Sequence, residues 1–225
     1  MTLTLWLAFV GVALAASFSP GPGVLLAIST TTALGARRTA FSSAGNAVGV
    51  FLVSCVAVSG VGLLFQRSPL AFAVLRYAGA GYLAWLGIKQ WRQAGKALST
   101  IATQTAEGPT ATQTAAKRPA TAAPPLESSS RYAVFRRGVL VACSNPKAIL
   151  FFAAVFPHFM PPGPVQLGRF LLLSLTFVAC TFVSHLSYVL LTASAGARFL
   201  AGRGMAHLQR GTGVMFVLLA GALLR

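Results

Sequence analysis

The residues of this chain that could do chemistry are few, and most stand beside prolines inside apolar stretches. Ser19-Pro20-Gly21-Pro22-Gly23 interrupts the first long apolar run, and Ser144-Asn145-Pro146-Lys147 interrupts a later one. Each proline removes a backbone donor, and its ring displaces the carbonyl four residues earlier, so a helix should kink or break there. In a bilayer a freed backbone group costs several kcal/mol unless protein, water or ligand satisfies it. Two readings follow, a packing kink or a solute cavity, and the matching of two such breaks in two halves of a chain favours the cavity.

Lys147 is a charge about 12 Å inside its apolar run at helical rise. It reads either as the counter-charge of a substrate carboxylate, aided by the dipole of the broken helix, or as a side chain that snorkels to the headgroups. His185 lies in the middle of another apolar run with Tyr188 on the same helical face. With an unperturbed pKa near neutrality it is the proton-relay candidate of the membrane region; the alternative is a hydrogen bond to a neighbouring helix. Asn46 sits between Gly45 and Gly49, a small-residue pair that favours close helix packing, with substrate contact by Asn46 as the second reading. Gly79, Gly81 and Gly87 read the same way, and Tyr82, Trp85 and Trp91 as packing or interfacial anchors.

The elements that position these residues follow from composition. The chain is 56% hydrophobic and only 9% charged, against about 25% charged in an average soluble domain, and its mean hydropathy is strongly positive. Crossing a ~30 Å hydrocarbon core takes roughly 20 residues. Six runs approach that length: Trp6 to Ile28, Phe41 to Phe65, Leu70 to Trp91, Val139 to Phe159, Phe170 to Ala193, and His207 to Leu224. The first lacks a positive leader, since no Lys or Arg precedes Arg37, and reads as a retained span rather than a signal peptide.

The 18 Lys and Arg residues test the count, because spans place alternate loops on opposite sides. One side holds thirteen: Arg37 and Arg38, eight between Lys89 and Arg137, then Arg198, Arg203 and Arg210. The other holds four, Arg67, Arg76, Arg169 and Arg225, and Lys147 lies within a span. The asymmetry puts both termini on the non-cytoplasmic side. The net charge of +16 thus belongs to loops beside an anionic leaflet, not to a nucleic-acid-binding surface. Residues 92–137, rich in Ala, Thr and Pro, carry both acidic residues, Glu107 and Glu127. They read as a flexible basic cytoplasmic linker between two three-helix halves, 1–91 and 138–225. Three spans reverse the chain's direction across the bilayer, so tandem halves of one fold must be inverted. The expected fold is an all-α integral membrane protein of six transmembrane helices in two inverted halves.

Several classes are disfavoured. No Asp or Glu remains in the membrane, which removes the oxygen ligands that hard cations require. No metal motif, carboxylate pair or nucleophile–base arrangement supports an enzyme. Cys55, Cys143 and Cys180 have no metal-ligand spacing and read as small buried hydrophobes.

Taken in order, three motifs resemble the LysE/RhtB family of amino-acid exporters. They are Ser19-Pro20-Gly21-Pro22 followed by Gly35-Ala36-Arg37-Arg38, the stretch from Ala78 to Gly87, and Asn145-Pro146-Lys147 through Phe156-Pro157-His158-Phe159. The likeness spans nearly the whole chain outside the linker and is nearest, around Leu64 to Trp91, to the homoserine, homoserine lactone and threonine branch. It implies efflux of amino acids or close derivatives through the bacterial inner membrane, driven by the proton motive force without a bound cofactor. Some members carry carboxylates within the membrane; their absence here points to neutral substrates. The expected mechanism is alternating access about a site built from Pro20, Gly21, Pro22, Gly23, Asn46, Asn145, Pro146 and Lys147, with His185 and Tyr188 as proton relay. The expected partners are a small amino-acid substrate and the lipid bilayer; a homo-oligomer remains open.

Overall fold

The structure, a computed structural model, describes residues 1–67, 69–106, 130–160, 166–193 and 203–223. All regular structure among them is helical: α1 (Leu3–Phe18), α2 (Pro22–Leu34), α3 (Ala36–Arg67), α4 (Pro69–Ala106), α5 (Arg131–Cys143), α6 (Pro146–Leu150), α7 (Leu167–Ala193) and α8 (Arg203–Leu223). Past α6 the helix widens into a π turn, Phe151–Val155, and tightens into a 3-10 turn, Phe156–Phe159. Pro157 explains the change of pitch, since it cannot donate to the carbonyl four residues back. Phe156 N–H bonds instead to the Phe151 carbonyl.

Two helices are long and apolar enough to cross a membrane by themselves, over Ala36–Ser59 and Leu167–Ala193. Two bent pairs reach the same standard together, α1 with α2 at 52° and Arg131–Cys143 with Pro146–Phe159 at 47°. This gives two to four candidate spans among the described residues, where six were expected. The expected linker 92–137 is helical at both ends, through Ala106 and again from Arg131, and its residues 107–129 lie outside the described residues. Much of the outer surface is greasy: Leu172, Leu175, Phe182, Val183, Leu186 and Leu190 of α7 are all about half exposed. A row of large apolar side chains facing outward along one helix belongs against lipid.

The helices pack reciprocally. The bent pair α1/α2 lies on α7, the bent pair α5/α6 lies on α3, and α4 lies on α8. Small residues set these crossings. A Cβ at Gly45 would run into the Phe135 carbonyl and one at Gly138 into the Ser42 carbonyl. One at Gly87 would come within 2.6 Å of the Gly213 carbonyl. Gly45, Gly49 and Gly87 therefore do what small residues at helix contacts do, letting backbones touch. Gly81 does not, having nothing within 4 Å of its Cβ position. Gly35, at φ 80°, makes the turn from α2 into α3, a conformation that a side chain disfavours. Trp85 and Trp91 face outward, about half exposed, as anchors do.

The core between the bent pairs is aromatic. Phe9 of α1 meets Phe159 edge-on at 5.0 Å, and Phe177 of α7 sits 4.5 Å from Phe151 and 4.9 Å from Phe152. Two of these pairs are edge-to-face and the third, Phe177 with Phe151, is tilted at 39°; ring pairs at these spacings contribute beyond the buried area itself. They hold α1, the widened helix after α6 and α7 together.

Candidate functional site

The break in the first bent pair leaves backbone groups that need partners. Pro20 and Pro22 have no N–H, so the carbonyls of Ala16 and Phe18 lose the donors a continuous helix would supply. Ser19 still donates to Ala15 O at 3.1 Å, and beyond that point α1 stops. The next four carbonyls, of Ala16, Ser17, Phe18 and the cap residue Ser19, are all satisfied from the other half of the chain. Lys147 Nζ donates to Ala16 O at 2.8 Å and to Ser19 O at 2.7 Å. Ser184 Oγ donates to Ser17 O at 2.8 Å, and the Tyr188 hydroxyl to Phe18 O at 2.7 Å. The cation also stands where the helix dipole is negative.

The second break is capped locally. Asn145 Oδ1 accepts from Lys147 N–H at 3.1 Å, as an N-cap should, and Asn145 N–H reaches the Ala142 carbonyl that Pro146 cannot serve. This turn aims the Lys147 side chain across to α1. The two breaks are thus brought face to face, and the charge of one closes the carbonyl end of the other.

Between them lies a small cavity of about 40 Å³, lined by Gly21, Gly23, Val24, Asn46, Val50, Asn145, Lys147, Phe151, Phe177, Thr181 and His185 among others. Small-molecule sites begin at about 300 Å³, so the cavity as it stands is too small for an amino acid. Asn46 and His185 are 3% and 4% exposed, and neither side chain has a hydrogen-bond partner among the described residues. Both approach Gly23: a Cβ there would lie 2.8 Å from Asn46 Oδ1 and 3.3 Å from His185 Nε2.

Of the residues expected from sequence, Gly21, Gly23, Asn46, Asn145, Lys147 and His185 line this one cavity; Pro20, Pro22 and Pro146 are not in its lining, and Tyr188 stands apart as a cap of α1. Lys147, read from sequence as a substrate counter-charge or a snorkelling side chain, points inward and is engaged with two carbonyls. Sequence reasoning missed Ser184 and Thr181, the latter 3.2 Å from Ser17 Oγ through its hydroxyl. A signal existed: Thr181, Ser184, His185 and Tyr188 follow helical spacing, so one polar stripe runs along an otherwise apolar helix. Tyr188→Phe is expected to keep the ring contact with Phe18 and lose only the donor to Phe18 O. Leaving that partly buried carbonyl unpaired should lower stability by about 1 kcal/mol, read as an earlier thermal unfolding in detergent with helix content unchanged. No metal-binding cluster of His, Cys, Asp or Glu occurs among the described residues.

Comparison with known proteins places this arrangement. Residues 14–225 match the family described as LysE type translocator. The homoserine/homoserine lactone efflux protein of Salmonella typhimurium is 34% identical over the whole chain and 97% of its own length. A leucine efflux protein of Klebsiella pneumoniae is 30% identical over 82% of this chain and 76% of its own, and a membrane protein of Vibrio cholerae 29% identical over 96% and 95%. No solved structure matches. With nearly its full length matched, and its proline breaks, lysine and apolar helices within the matched region, the chain belongs to the LysE type translocator family of membrane proteins.

Proposed function

We propose that this protein exports neutral amino acids of the homoserine and threonine kind from the bacterial cytoplasm, by alternating access driven by the proton motive force. The observation that carries the reading is the meeting of the two helix breaks, where Lys147 of one holds the carbonyl end of the other. Moving one half against the other must part or remake these bonds, so they lie where a rocking motion would act. The relatives' names, homoserine/homoserine lactone and leucine efflux proteins, supply the substrate class.

The reading takes α1 with α2, α3, α4, α5 with α6 and the turns after it, α7 and α8 as six spans, with both termini outside the cytoplasm. The halves 1–91 and 138–225 are taken as inverted repeats, which the reciprocal packing supports: each bent pair lies on the second helix of the other half, and the third helices lie on each other. Substrate is recognised in this cavity once it widens. His185, the imidazole lining it, is the proton-carrying group, with Tyr188 beside it on α7. A leucine-like side chain is the second reading, favoured by Val24, Val50, Phe151 and Phe177 in the lining.

Proteoliposomes loaded with labelled homoserine, threonine, leucine or lysine, under an imposed proton gradient, test this. Neutral amino acids should leave faster than from protein-free liposomes and lysine should not, and collapsing the gradient should remove the difference. Efflux no faster than the protein-free control for every amino acid would end the exporter reading.

A further inference from the structure

We propose that the groove between α4 and α8 binds an anionic phospholipid, with one acyl chain along the groove and the phosphate held by Arg92 and Arg210 at its end. This goes beyond the exporter reading and does not depend on it; only the choice of leaflet rests on the six-span topology. The groove measures about 320 Å³, within the range of small-molecule sites. α4 and α8 run antiparallel along it, since Gly87 faces Gly213 and Val217 whereas Trp91 faces Arg210. Gly87 and Gly213 are buried and make its floor; Ile88, Val214, Val217 and Leu218 are exposed and make its walls. With glycine on both sides of the crossing, no side chain rises from the floor to fill the cleft. From Arg210 to Leu218 the groove follows α8 for roughly 12 Å at helical rise. One leaflet is half of the ~30 Å hydrocarbon core, so an acyl chain is followed over most of its depth.

Apolar shape alone selects no lipid, because the groove exchanges one acyl chain for another and lipid tails are as apolar as leucine. The cations at its end supply the choice. Arg92 lines the groove, and the Arg210 guanidinium lies 5.6 Å from the ring of Trp91 beside it. Arg210 Nε is buried without a hydrogen-bond partner, and Arg92 has no partner among the described residues. Both acidic residues of the chain, Glu107 and Glu127, lie outside the described residues, so no carboxylate of the described helices neutralises the pair. Planar guanidinium forks of this kind match a phosphate group bidentately. Trp91, half exposed at the same end, is the residue type that sits at headgroup level. On the six-span topology this end faces the cytoplasm, where the leaflet is anionic and basic pockets between helices take acidic headgroups. A second copy of the chain fits less well. Seated here in the same orientation, it would bring its own basic end to the same level, cation against cation.

The test uses the full chain in phosphatidylcholine vesicles, with Trp6→Phe and Trp85→Phe leaving Trp91 as the one tryptophan. Phosphatidylglycerol or phosphatidylcholine with brominated acyl chains, which quench tryptophan on contact, is titrated in. Brominated phosphatidylglycerol should reach half-maximal quenching at a mole fraction about tenfold or more below that of brominated phosphatidylcholine. Arg92→Gln with Arg210→Gln should bring the two lipids level. Val214→Phe keeps both cations but fills the groove, and should bring them level too. This variant separates a built site from the attraction of a basic surface for any anionic lipid around it. It should unfold at the parent temperature, since residue 214 is exposed; Leu218→Phe repeats the filling farther along the groove. Equal quenching by both lipids in the parent protein, or a phosphatidylglycerol preference untouched by Val214→Phe and Leu218→Phe, would overturn the site. So would quenching by either lipid that falls as the protein-to-lipid ratio rises, because a second copy then covers the groove.

Discussion

Lys147→Met is expected to abolish efflux and to destabilise the protein even when no substrate is present. Methionine keeps an unbranched stem but has no donor, so Ala16 O and Ser19 O both lose their partner. Ala16 and Ser19 are each 1% exposed, and Pro20 has already removed the backbone donor that Ala16 O would otherwise use. An acceptor left unpaired in a buried position costs about 1–3 kcal/mol, and two of them about 2–6 kcal/mol. Against a total stability of roughly 5–15 kcal/mol that is a large fraction. Thermal unfolding of the purified variant in detergent without amino acid is the measurement. If Lys147 serves only as a counter-charge for substrate, the variant unfolds at the wild-type temperature and loses binding alone. If it clasps the two breaks, unfolding comes well before wild type. Lys147→Arg is not a neutral control, because a planar fork cannot repeat the geometry of a compact ammonium on two carbonyls.

The contrast between those outcomes also shows what the sequence could reveal. Prolines announce where a helix must break, and both breaks lie where Pro20, Pro22 and Pro146 put them. A lysine deep in an apolar run left two readings open, a substrate counter-charge or a side chain that snorkels outward, and Lys147 points inward to the cavity between the breaks. Its partners were invisible, because they are backbone carbonyls, and a carbonyl has no letter in the sequence. Only the crossing of the two bent pairs, a tertiary fact, brings Ala16 and Ser19 to the lysine. The same limit separates His185 from Tyr188. Their spacing put both on one face of α7, but one turn of helix decides which meets the cavity and which meets the Phe18 carbonyl. Helix ends were less legible: α4 runs to Ala106 past the charged residues that suggested a boundary at Trp91, since Lys, Arg, Gln and Ala are good helix formers whether or not lipid surrounds them.

Asn46 shows how packing and site are joined, and Gly138→Ala is the substitution that should separate them. Gly138 of α5 crosses α3 so closely that a Cβ would meet the Ser42 carbonyl and lie 2.9 Å from the Asn46 backbone nitrogen. Gly49 faces the same helix, its Cβ position 2.7 Å from Val139 O and 2.6 Å from the Ala142 Cβ. These neighbours are backbone atoms or a Cβ, so no rotamer change relieves the clash and α5 must move away as a body. Overpacking of this kind costs about 1–3 kcal/mol. The displacement falls on the turn of α3 that aims Asn46 at Gly23, and α5 leads directly into the Asn145-Pro146-Lys147 break. Transport should therefore drop further than the loss of stability alone accounts for. The control is Gly81→Ala on α4, where nothing lies within 4 Å of the Cβ position; it should leave efflux intact and gain roughly 0.5–1 kcal/mol from the better helix former. Unfolding temperatures in detergent and efflux rates from proteoliposomes, measured on both variants, decide the matter. A Gly138→Ala protein that melts and transports like the Gly81→Ala control would mean that α3 and α5 do not hold the site by this contact. Transport lost while stability is largely kept would mean that the close crossing is there to place Asn46.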